Sequence, residues 1–90
     1  MSEKIWADEA WEDYLYWQTQ DKKTLKRINL LVKDIERNGP LSGIGNPEAL
    51  KDNLHGFYSR RINEKNRLVY KIESESRIYI AQYKGHYNDK

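Results

Sequence analysis

The feature that most constrains this chain is a change of period. Between residues 11 and 37 apolar side chains recur every three or four positions, as on one face of a helix. After Gly56 they alternate along residues 57–63, 67–73 and 77–84, rich in Tyr, Ile and Val, as on half-buried strands. The turns between those strands, 63–66 and 74–76, are short enough to make an antiparallel meander. Residues 4–7 read as a further short, edge-like strand that returns to the sheet. The expected architecture is α+β, a two-helix hairpin packed on a mainly antiparallel, twisted sheet. Ninety residues leave room for one domain, spanning 1–90, with one small core.

Within the helical half, Asp8 is expected to cap the first helix, its carboxylate accepting from the unpaired N–H groups of the first turn. Glu9, Glu12 and Asp13 then place negative charge where the helix dipole favours it. Trp11, Tyr14, Leu15 and Gln18, with Trp17 beside them, are expected to form its inner face. Asp21 should cap the second helix, which turns Leu25, Ile28, Leu31, Val32 and Ile35 inward. Lys22, Lys23, Lys26, Arg27, Lys33 and Arg37 surround that face, and Asn38-Gly39-Pro40 supplies the stop. A loop follows over 39–47, and Glu48-Ala49-Leu50-Lys51 is expected to be no more than one turn of helix.

The charge is unevenly placed. A total of +2 conceals one basic and six acidic residues in 1–21, a net −5, and twelve basic against five acidic in 22–71, a net +7. Such an asymmetry points to an anionic partner, often a nucleic acid, with ordinary solvated helix faces as the alternative. The absence of cysteine excludes disulfides and thiolate chemistry, and two histidines give no basis for a zinc site, so neither metal nor cofactor is expected. No apolar run approaches the ~20 residues of a membrane span, and the start lacks the pattern of a secretory signal, so a cytoplasmic protein without a membrane partner is expected. No Walker loop, dinucleotide glycine fingerprint or nucleophile elbow is present.

Proton-transfer chemistry therefore falls to His55, His86 and the carboxylates. His86 lies just past the last expected strand, where the sheet could hold it against a ligand. Arg67 opens a strand ahead of apolar Leu68, Val69 and Tyr70, a placement suited to a phosphate clamp. Glu48 follows Asn46-Pro47, whose fixed backbone could aim its carboxylate. Each has an ordinary alternative: a surface histidine, an ion pair of Arg67 with Glu64 or Glu73, an acidic first-turn residue. Together, a carboxylate, an arginine and a histidine are the parts needed to cleave RNA through its 2′-hydroxyl without a metal, and Tyr87 could stack on a base. The condition is that they converge in space.

The runs Ile5-Trp6, Trp11-Glu12-Asp13-Tyr14-Leu15-Tyr16-Trp17-Gln18, Pro47-Glu48-Ala49-Leu50-Lys51, Ser59-Arg60-Arg61-Ile62, Arg67-Leu68-Val69-Tyr70 and His86-Tyr87 resemble YoeB-type toxins of the RelE superfamily, over nearly the whole chain. The resemblance implies a microbial-ribonuclease-like fold and a ribosome-dependent mRNA endoribonuclease acting in the A site, neutralised by a Phd/YefM-type antitoxin. It further implies contact with operator DNA only through the antitoxin complex, and it leaves a homodimer open. On the family pattern Glu48 matches the general base, Arg67 the phosphate-stabilising arginine and His86 the general acid. Tyr87, Lys51 and Arg61 match substrate-binding positions. Two departures stand out: Asn66 replaces the histidine common before the strand arginine, removing a helper group, and Asn88-Asp89-Lys90 extends the tail. The competing class is a non-enzymatic toxin or binding module that blocks a protein or DNA target, as gyrase-inhibiting members of the superfamily do.

Overall fold

The computed structural model describes residues 3–86. In chain order the elements are β1 (Glu3–Trp6), α1 (Asp8–Gln20), α2 (Lys22–Asn38), β2 (Glu48–Ala49), a 3-10 turn (Asp52–Leu54), β3 (Tyr58–Arg61), β4 (Arg67–Ser74) and β5 (Arg77–Gln82). The five strands form one sheet in the order β1-β5-β4-β3-β2. Only the β1–β5 pair is parallel, closed by Ile5 opposite Tyr79 and Trp6 opposite Ile80; the other three pairs are antiparallel. The expected α+β class and meander are both present, with β1 restored to the sheet edge.

The second helix follows its period. Asp21 accepts from the Lys23 and Thr24 N–H groups and from the Thr24 hydroxyl, and these bonds hold its carboxyl below the usual carboxylate range. Ile28, Leu31 and Ile35 are buried against Leu68, Tyr70, Ile78 and Ile80 of β4 and β5, while Leu25 and Val32 pack at the margin. Each fully buried aliphatic side chain contributes about 1.5–3 kcal/mol of transfer free energy. The helix ends where the Gly39 N–H donates to Ile35 O.

Three expectations are corrected. Asp8 is the first residue of α1 rather than its cap, and Ala7 stands at the cap position without a side-chain bond. The inner face of α1 is Ala10, Tyr14 and Trp17, not the Trp11, Leu15 and Gln18 stripe, all three of which are exposed. The cause is two polar tethers: the Trp17 indole N–H donates to Tyr83 O at 2.9 Å, and Asp13 accepts from the Tyr83 N–H at 3.0 Å. These rotate α1 so that residues 10, 13, 14 and 17 meet the sheet, and partial burial pushes the Asp13 carboxyl upward. Finally, Glu48-Ala49 is a two-residue strand paired with β3, not a helical turn. Its helix-favouring composition yields to the hydrogen bonds of an open sheet edge.

Candidate active site

Register alone gathers the site. Glu48 lies opposite Ser59, Ser59 opposite Val69, and Arg61 opposite Arg67, so these side chains share the sheet face turned away from the helices. The alternate residues Tyr58, Arg60, Leu68 and Tyr70 point into the core. At the β3 end of that outer face lies a polar cleft of about 170 Å³ lined by Asn46, Glu48, Ser59, Arg61, Arg67 and His86. Four expected residues, Glu48, Arg61, Arg67 and His86, are thus brought together. Lys51 is exposed at the start of the 3-10 turn and is not among the lining residues. His55, beyond that turn, is exposed and also outside the cleft. Tyr87 lies outside the described residues.

Each side chain is held by a different device. Glu48 is delivered by the 39–47 loop, which is stapled from the interior by Arg60, a fully buried residue that sequence reasoning passed over. Arg60 Nη1 donates to Asp34 Oδ2 and to Ile44 O, Nη2 to Gly39 O and Ser42 O, and Nε to the Tyr70 hydroxyl. Tyr70 in turn donates to Pro40 O at 2.6 Å. The Arg60 guanidinium beside Asp34 holds that carboxyl below the usual carboxylate range. Gly43 allows the loop to lie this close, since a Cβ built there would overlap the Asp34 carboxylate. Asn46 follows at φ 53, a left-handed conformation that Asn tolerates better than most residues.

Arg67 is half-buried and held by Nη1, which donates to Asn63 O at 2.7 Å, to Asn66 O at 3.2 Å and to Glu64 O at 3.3 Å. The ion pairs with Glu64 or Glu73 that the sequence allowed are not formed; Glu73 pairs with Lys71 instead. Among the described residues Nε and Nη2 of Arg67 have no acceptor, leaving donors beside the cleft. Arg27, expected on the open basic surface of α2, instead donates through Nη2 to Arg61 O and ties that helix to β3. Asn46 and Ser59 are the lining residues that sequence reasoning missed. Ser59 had a usable signal, because it stands two residues before Arg61 on the same strand and so shares its face.

Among the described residues no group of three or more His, Cys, Asp or Glu is arranged to hold a metal ion. What the cleft assembles is one carboxylate, one imidazole and two guanidinium groups around a volume the size of a phosphate and its neighbouring sugar oxygens.

Comparison with known proteins agrees with this architecture. The family described as "YoeB-like toxin of bacterial type II toxin-antitoxin system" matches residues 6–87. The toxin YoeB of Escherichia coli is 53% identical over 83 residues, 92% of this chain and 96% of that protein. In the heterotetrameric YoeB–YefM toxin–antitoxin complex of Staphylococcus aureus, a chain superposes with a TM-score of 0.89 at 52% identity, covering 97% of this chain and 99% of that one. The YoeB dimer of the same organism gives a TM-score of 0.89 at 52% identity, over 96% and 98% of the two chains.

Proposed function

The chain belongs to the YoeB-like toxins of bacterial type II toxin–antitoxin systems, and on that premise we propose that it is an mRNA endoribonuclease acting in the ribosomal A site. The observation that carries the reading is the convergence of Glu48, Arg61, Arg67 and His86 in one polar cleft from four separate stretches of sequence. Glu48 accepts the proton of the 2′-hydroxyl as its oxygen bonds to the adjacent phosphorus. Arg67, with Nε and Nη2 uncommitted among the described residues, donates to the non-bridging oxygens as charge builds on them, and Arg61 assists from the facing strand. His86 gives its proton to the departing 5′-oxygen as the phosphorus–oxygen bond breaks. The products are a 2′,3′-cyclic phosphate and a free 5′-hydroxyl, and no metal takes part. Lys51, exposed beside the 3-10 turn, and Tyr87 serve substrate binding.

Lys22, Lys23, Lys26, Lys33 and Arg37 on α2 are exposed and would meet ribosomal phosphates, which makes binding salt-sensitive. An acidic segment of a YefM-type antitoxin, the kind of partner present in the Staphylococcus aureus complex, would compete for the same charge; operator DNA would be met only through that complex. A homodimer is a further proposal, supported by the dimer of the related toxin. Among the described residues no helix is long and apolar enough to cross a membrane, and the substrate places the work in the cytoplasm.

The test is cleavage of a defined mRNA on translating ribosomes by the purified protein. Wild type should release fragments ending in the cyclic phosphate, and Glu48→Gln or His86→Ala should each slow cleavage by ~10²–10⁴-fold. Intact transcripts in the presence of active ribosomes and wild-type protein overturn the proposal. Growth arrest retained by the Glu48/His86 double variant would favour a non-enzymatic block.

A further inference from the structure

His86 follows a residue whose backbone has no polar group left open. The Gly85 N–H donates to Asn66 Oδ1 at 2.8 Å, and Gly85 O accepts from the Arg67 N–H at 2.9 Å and from Gln82 Nε2 at 3.1 Å. Gly85 O belongs to the peptide that joins Gly85 to His86, so these bonds fix the plane from which His86 departs. Two residues earlier, Tyr83 is fixed through its N–H by Asp13 and through its carbonyl by Trp17. Gly85 itself sits at φ 79, with nothing within 4 Å of a Cβ built on it, so it is required for its backbone conformation rather than for space.

The Asn66 amide is oriented in its turn. Asn63 Oδ1 accepts from the Lys65 N–H at 3.0 Å, the Asn66 N–H at 2.9 Å and Asn66 Nδ2 at 3.0 Å. A flipped Asn66 amide would set oxygen against oxygen at Asn63 and nitrogen against the Gly85 N–H, so a single orientation satisfies both ends. The same 63–66 turn supplies the carbonyls that hold the Arg67 guanidinium. One short turn therefore sets the place of both the arginine and the histidine.

We propose that Asn66, oriented by Asn63 and aided by Gln82, is a positioning residue for the proton-donating His86, keeping it in register with Arg67. The inference rests on the ribonuclease reading above. Asn66 acts through the Gly85–His86 peptide, and its loss should impair the step that needs the proton while sparing binding. A misplacement of about 1 Å can cost 10²-fold in rate, so Asn66→Ala should lower kcat for ribosome-bound mRNA by ~10–100-fold with KM unchanged.

The discriminating substrate carries sulfur in place of the bridging 5′-oxygen at the cleaved bond, because a thiolate leaves without being protonated. On it, both His86→Ala and Asn66→Ala should recover to within a few-fold of wild type. Asn63→Asp, which keeps the accepting oxygen, should remain near wild type, whereas Asn63→Ala should follow Asn66→Ala; circular dichroism and an unfolding curve check that each variant is folded. Wild-type cleavage of the natural substrate by Asn66→Ala, or an equal loss on both substrates, overturns the positioning role. Failure of the sulfur substrate to rescue His86→Ala overturns the assignment of His86 as the acid, and the positioning role with it.

Discussion

Arg60 and Arg67 are paired-strand neighbours with the same side chain and opposite employment. Arg60 offers five N–H donors and spends each on a named acceptor, namely Asp34, Ile44, Gly39, Ser42 and Tyr70, in a site without solvent access. Arg67 anchors itself through Nη1 alone, to three carbonyls of one turn, and keeps Nε and Nη2 without an acceptor among the described residues. A saturated guanidinium holds structure together; an unsaturated one beside a cleft can still bind. The difference teaches that the vacancy of the donors, rather than the presence of arginine, marks the site.

The comparison can be broken by exchanging its terms. Arg60→Met, which keeps the bulk and removes every donor, should destabilise the fold by about 3–5 kcal/mol, because Asp34 and four buried or half-buried oxygens lose their partner. Urea unfolding measures this, and a change below ~1 kcal/mol would show that Arg60 is no staple. Arg67→Ala should do the reverse: cleavage falls by ~10²–10³-fold, as when a single preorganised donor to a developing charge is removed, while stability moves by no more than about 1 kcal/mol. Equal losses in both assays would erase the distinction.

The smallest effect concerns pH. The Arg60 bond depresses the Asp34 carboxyl in the folded state, so its contribution is complete above the unfolded carboxylate value of about 3.9 and is lost as pH falls through the lower folded value. Unfolding curves of wild type and Asp34→Asn, taken from pH 7 downward, should therefore keep a constant separation to about pH 5 and converge below about pH 4. A separation independent of pH down to acid unfolding would mean that the Asp34 charge adds nothing to the staple.

How much of this was legible depended on whether a residue's role is local. The α2 face could be read because its cap, period and stop lie in one continuous stretch. The α1 face could not, since aromatics occupy every side of the helix and the choice is made by Asp13 and Trp17 reaching residue 83. Tyr16, outside, is covered by Lys84 at 4.2 Å from the ring centroid. Glu48, Arg67 and His86 are legible as a chemical set and Arg61 only through the family resemblance; the cleft unites these four and leaves out Lys51. Arg60 escaped notice because a buried arginine is rare and nothing in a sequence distinguishes it from an exposed one. Asn66, on the family pattern the loss of a helper group, has its amide bonded to the backbone beside His86.

The parallel pairing of β1 with β5 has a consequence in time. Glu3 waits for Arg77, and the two meet across a span of 74 residues in a 2.8 Å ion pair. Contacts of such long sequence separation form late, because the intervening chain must close first. While the chain is being synthesised, its first strand therefore has no partner, and His86 has not yet joined the cleft. Under the proposed function this order is a safeguard: a protein that destroys messages on ribosomes stays harmless to its own message until the segment that carries His86 has been read.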